Sequence, residues 1–309
     1  MKSKTQSSNT PPYRGIAVPI LTPFKEDQSI DFPVLEKLVD WLCQSAVSVL
    51  FPMGGSGEYS LLSVAERKEI IDCIVRTNGR RRLLFAGTGA DSLAETLELT
   101  RYAQKAGCDG VGVVIPTHIP GTQQAIFEYY QAVDEVLEVP FMVYDPRGEG
   151  EHSVTPETMS AMVDKFRHLV AIKYRTLNGE RMGLMTSAVS SRISVFSGSE
   201  TVFLQDLSVG AVACVGGGAN FYPQIMEALQ DCYQEGDLIE ARRLQFSILE
   251  AIQALNPIYW PLSGKLVLQV LGIPIQPVTR QKGETPSAEA VRKLQDFYRV
   301  YLQKFKARA

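Results

Sequence analysis

From Gly15 onward the chain is built on one repeated unit, a short apolar run followed by a segment of helical spacing. The runs are Gly15 to Leu21, Ser48 to Met53, Leu83 to Gly89, Gly110 to Pro116, Pro140 to Tyr144, Leu169 to Lys173, Ile193 to Phe196 and Ala211 to Val215. Apolar residues at consecutive positions suit parallel strands buried on both faces. Between them, Leu35, Leu38, Val39 and Leu42 mark a helix over Phe32 to Gln44, and Ser63 with Glu66 forms a capping box that starts another. Ser92 to Ala106, Gln123 to Leu137 and the segment opened by Thr155-Pro156 continue the alternation. Eight evenly spaced units predict a closed (β/α)₈ barrel rather than a doubly wound open sheet. Past Pro223 the pattern turns helical, over Ile225 to Gln234, Leu238 to Leu255, Leu262 to Leu271 and Ala288 to Lys304. The expected layout is therefore a polar, disordered arm over 1–12, a barrel over 13–234 and an appended helical region over 235–309.

Composition removes several classes. A net charge of −3 gives no reason to expect nucleic acid, and Arg80-Arg81-Arg82 reads as a solvated loop between helix and strand. No apolar run reaches the roughly 18 residues that span a bilayer. Five scattered cysteines without a CxxC pair suggest reduced thiols and a cytoplasmic location, and the N-terminal residues lack the apolar core of a signal peptide. Three histidines, His118, His152 and His168, show no HxH or HExxH spacing, so no metal is expected, and the leading reading calls for no cofactor.

The sixth run, Leu169-Val170-Ala171-Ile172-Lys173, drives a lysine into apolar surroundings. A buried ammonium must pair, reach water or lose its proton, and a neutral amine attacks carbonyl carbons. Seen alone, the segment also fits a lysine that snorkels to solvent. Its neighbours add weight, because active sites of such barrels lie at the C-terminal ends of the strands. There stand Gly54-Gly55-Ser56-Gly57-Glu58, Tyr144-Asp145-Pro146-Arg147, Ser197-Gly198-Ser199-Glu200 and Gly216-Gly217-Gly218. A nucleophilic lysine, a phenol, a serine hydroxyl and glycine-loop amides together suit carbonyl chemistry through a protonated Schiff base. Separately, the glycine runs are equally tight turns and Tyr144 a core tyrosine.

Through Val18-Pro19, Thr22-Pro23-Phe24, Gly54 to Glu58, Val143-Tyr144, Ile172-Lys173 and Ser197-Gly198, the chain resembles the dihydrodipicolinate synthase/N-acetylneuraminate lyase family of class I aldolases, from Tyr13 to about Leu271. The resemblance implies that Lys173 forms an imine with a 2-oxo acid such as pyruvate and that Tyr144 shuttles protons. It implies that Ser56 and nearby amides, Gly55 among them, hold the substrate carboxylate, with Ser56 able to pass a proton towards Tyr144. Ser197 and Gly217 join the expected substrate-binding set, and Glu58 is expected to brace its loop. Three departures stand out. Gly55-Ser56 replaces a pair of threonines, Thr117-His118 replaces paired tyrosines, and Glu149 stands where the family has an arginine. His118 is a candidate substitute proton carrier, and Arg147 or Arg175 a candidate clamp for a second carboxylate. The glycine-rich strand-two motif resembles the dehydratase branch acting on 5-dehydro-4-deoxyglucarate, which makes a hydro-lyase of that kind the leading expectation. Dihydrodipicolinate synthesis or another 2-oxo-acid aldolase reaction is the alternative within the family. A non-catalytic 2-oxo-acid-binding protein and a pyridoxal phosphate enzyme are the alternatives outside it. A homodimer or homotetramer is expected from the resemblance, and from the apolar stripe of Leu262 to Leu271, which exceeds what one barrel exterior needs.

Overall fold

In the computed structural model, which describes residues 13–306, the eight runs form strands β1 (Gly15–Pro19), β2 (Val49–Phe51), β3 (Leu83–Gly87), β4 (Gly110–Val114), β5 (Phe141–Asp145), β6 (Leu169–Tyr174), β7 (Ser194–Ser197) and β8 (Ala213–Val215). Each pairs with the next in parallel, and β8 closes on β1 with Ile16 opposite Cys214. The expected (β/α)₈ barrel is thus present. The arm expected over 1–12 lies outside the described residues.

Helices α1 (Phe32–Cys43), α2 (Val64–Asn78), α3 (Leu93–Ala106), α4 (Gln123–Asp134) and α5 (Pro156–Lys165) fall where the periodicity puts them. Their starts have local causes: the capping box of Ser63 and Glu66 forms in both directions, and Thr155 caps α5 ahead of Pro156. Two helices carry no clear sequence signal, α6 (Gly179–Val189) and α7 (Phe203–Ser208). The last barrel helix α8 (Pro223–Glu235) is followed by α9 (Leu238–Leu255), α10 (Leu262–Val270) and α11 (Ala288–Lys306). Leu262, Leu266, Val267 and Leu268 are all buried within the single chain. The stripe on α10 is consumed inside the subunit and gives no argument for assembly, contrary to the sequence-based expectation.

Alternation along the strands divides two cores. One face packs on the helices, and the other fills the barrel with Ala17, Val49, Phe51, Phe85, Met142, Ala171, Phe196 and Ala213. Gly112 is required on β4, since a Cβ there would lie 2.3 Å from the Phe51 ring. Register decides what faces the barrel mouth. Tyr144 on β5 stands directly opposite Lys173 on β6, so both share the inward face at the strands' C-terminal ends.

Candidate active site

A cavity of about 420 Å³ opens at that end of the barrel. Lys173 and Tyr144 form its floor, Gly55 and Ser56 one side, Arg175 and Ser199 to Thr201 another, and Val215 and Gly217 a third. Its remaining wall comes from the end of α9 and the connection that leads into α10, with Leu255, Ile258, Tyr259 and Trp260. That wall was not foreseen from the sequence.

Lys173 is 4% exposed and takes part in no ion pair among the described residues. Its Nζ lies 3.9 Å from the centre of the Tyr144 ring and 5.4 Å from that of Phe51. Burial lowers its pKa to about 7, and the Arg175 guanidinium pushes the same way, while Cys214 and Glu200 oppose. A large part of the amine is therefore unprotonated near neutral pH, as nucleophilic attack requires. Burial, ahead of nearby charges, raises the Tyr144 pKa, so its hydroxyl keeps its proton. It can donate to a developing alkoxide and recover the proton later.

The strand-two loop turns tightly through Gly55–Gly57, with Gly57 N–H donating to Gly54 O at 3.0 Å. Thr22 Oγ1 donates to Gly57 O at 2.8 Å, which ties the loop to the end of β1. Ser56 Oγ accepts from Trp260 Nε1 at 3.2 Å. Glu58 leaves the loop in a left-handed conformation and turns away from the cavity into a fully buried ion pair with Lys265 Nζ at 2.9 Å. Its other oxygen accepts from the backbone N–H groups of Arg280 and Gln281, each at 2.7 Å. Glu58 braces the loop against the C-terminal region, through Lys265 on α10 and the backbone of Arg280 and Gln281.

The other expected positions divide. Gly55, Arg175 and Gly217 line the cavity, and Arg175 is exposed at its rim. A Cβ on Gly55 would sit 3.8 Å from the Tyr144 hydroxyl, so glycine leaves that flank open. Ser197 faces outward from β7 and is fully buried, its hydroxyl donating to Asp206 at 2.5 Å. Arg147 is also outside the cavity wall, with its guanidinium donating to Ile115 O and His152 O at 3.4 and 3.0 Å. Buried Asp145 sets this geometry, accepting from the N–H groups of Arg147, Gly148 and Val154 and from Ser153 Oγ. His118 is exposed and lines no part of the cavity, and Glu149 faces Arg181 at 3.7 Å. Glu200 does line it, with Oε1 accepting from Gly218 N–H at 2.7 Å. The sequence offered Glu200 only as a strand-end neighbour of Ser197-Gly198.

Comparison with known proteins points one way. The family described as "Dihydrodipicolinate synthetase family" matches residues 12–298. The chain is similar to a 4-hydroxy-tetrahydrodipicolinate synthase of Clostridium novyi, at 28% identity over 263 residues that cover 85% of this chain and 88% of that protein. To the protein of the same name from a Psychrobacter species it is 32% identical over 235 residues, covering 76% and 78%. The solved structure of the 4-hydroxy-tetrahydrodipicolinate synthase from Methylacidiphilum fumariolicum superposes with a TM-score of 0.85 at 27% identity, covering 96% of this chain and 97% of that one.

Proposed function

Because the chain belongs to the dihydrodipicolinate synthetase family, whose members are class I lysine Schiff-base lyases, we propose that it acts on a pyruvate-type 2-oxo acid through an imine on Lys173. The neutral amine attacks the ketone carbon, the nitrogen passes one of its protons to the oxygen and Tyr144 gives a second, so that the oxygen departs as water and a protonated imine remains. The backbone amides of Gly55 and Ser56 and the Ser56 hydroxyl hold the carboxylate. The imine then withdraws electrons from the neighbouring carbon, which loses a proton to Tyr144 and becomes an enamine. That enamine adds to an aldehyde, forming a carbon–carbon bond, and water releases the product from the lysine. The observation that carries this reading is a buried amine without a carboxylate partner, stacked on a phenol at the floor of an open cavity.

The names of the relatives favour aldol condensation of pyruvate, as in 4-hydroxy-tetrahydrodipicolinate synthesis, over the dehydratase reading that the strand-two glycines suggest. The dehydratase keeps one observation of its own: Gly55 leaves room beside Tyr144, and Arg175 at the rim offers a site for a second carboxylate. Pyruvate followed by borohydride should add one stable mass at Lys173, and Lys173→Ala should take up none. Labelling at a different lysine would remove the assignment. Parallel assays decide the chemistry, since turnover of pyruvate with aspartate semialdehyde supports condensation and turnover of 5-dehydro-4-deoxyglucarate alone supports dehydration.

A further inference from the structure

Ser56 is the hydroxyl at the cavity for which the family reading claims a role, and its hydrogen bond is supplied from 204 residues away. A serine hydroxyl has one proton to give and two lone pairs to receive. The Trp260 indole is a donor only, so it occupies a lone pair and leaves the Ser56 proton to be given elsewhere. Ser56 lies on the cavity wall and donates to no group among the described residues. The indole itself is tightly held. A Cβ on Gly217 would lie 3.0 Å from its Cη2 and Cζ2, and one on Gly264 would lie 2.8 Å from Cζ3. Phe221 meets the same ring edge-on at 6.2 Å. Two glycines therefore make a slot for one ring, and the ring's N–H is aimed at one hydroxyl.

The loop bearing Ser56 needs such support. Met53 and Glu58, on either side of the turn, both have φ near +57°, which costs energy for residues with a Cβ. Lys265, one turn into α10, secures Glu58, while Trp260, just ahead of the same helix, secures Ser56.

We propose that Trp260 is a positioning residue for catalysis, its indole N–H fixing the Ser56 hydroxyl so that the hydroxyl proton points into the cavity at the carboxylate of the 2-oxo acid. The proposal rests on the reading of Lys173 as the imine-forming lysine. A tryptophan that merely walls the cavity would act through its bulk, whereas this role acts through Ser56.

Trp260→Phe keeps an aromatic ring in the slot and removes the N–H, so a double-mutant cycle with Ser56→Ala separates the two roles. The probe is pyruvate, read as the concentration giving half-maximal borohydride trapping at Lys173. Trp260→Phe should raise that concentration by about three- to ten-fold in the wild-type background, the scale of one hydrogen bond between neutral groups. In the Ser56→Ala background it should change by less than about two-fold. The same factor in both backgrounds, or no change in the first, overturns the proposal. If Trp260→Phe does not fold, Gly217→Ala displaces the ring instead and is read in the same cycle with the same two outcomes. No trapping in the wild-type protein overturns the imine reading and this proposal with it, while trapping with additive variants overturns this proposal alone.

Discussion

At the residue scale the chemistry depends on the protonation of one amine. Burial holds Lys173 at about 7, below the ordinary 10.5, so the free base becomes the major form as pH rises through about 7. The initial rate of trapping at fixed pyruvate should climb through that range and level off above it. Arg175 contributes to the lowering, so Arg175→Ala should raise the pKa and move the climbing limb to higher pH. At pH 7, where the amine starts half neutral, the rate should fall by roughly 1.5- to 3-fold, the scale of one solvent-screened charge. A limb that stays in place shows that the rim cation does not act on the lysine. Arg147, paired in the sequence reading with Arg175 as an anion clamp, takes no part in this balance, because Asp145 folds the strand-five loop back and the guanidinium is spent on backbone carbonyls. Side-chain partners of this kind are set by loop closure and leave no mark in the spacing of residues.

At the element scale the connection between the strand-two loop and α10 stands out. The side chains of Glu58 and Lys265 are both 0% exposed, and burial lowers the Lys265 pKa to about 8 even with the carboxylate beside it. Lys265→Ala leaves an uncompensated buried carboxylate and should destabilise the fold by about 3–5 kcal/mol in urea unfolding. A loss under about 1 kcal/mol would mean that the pair is not holding the loop. The strands and most barrel helices were legible, since apolar runs, caps and helical spacing are local signals, and the parity of β5 and β6 already brought Tyr144 and Lys173 to one face. Helices α6 and α7 were not, being short and weakly patterned. Ser197 was misplaced because parity turns it outward beside inward-facing Phe196. Trp260 and Lys265 were missed for a different reason: each meets its partner across more than 200 residues of chain.

At the scale of the whole molecule, the apolar face of α10 is spent within one subunit, but other large side chains stay outside. Ile239 and Phe246, seven residues apart on α9, are 78% and 58% exposed, so they share a face of that helix. A homodimer or homotetramer is the expected assembly, measured by light scattering at micromolar concentration as two or four times 34.2 kDa. A single species at the monomer mass would end that expectation. The dependence of the strand-two loop on the C-terminal region also has a consequence for how the protein is made. The 222 residues between Glu58 and Arg280 take roughly 11 to 44 s to synthesise at about 5–20 residues per second. For the first 115 of those residues Lys173 itself has not been made, and for the rest the residues that seat Ser56 and Glu58 are still incomplete. A growing chain that already carries both Ser56 and Lys173 therefore still lacks the seat of its strand-two loop until Trp260, Lys265 and Arg280 have been added.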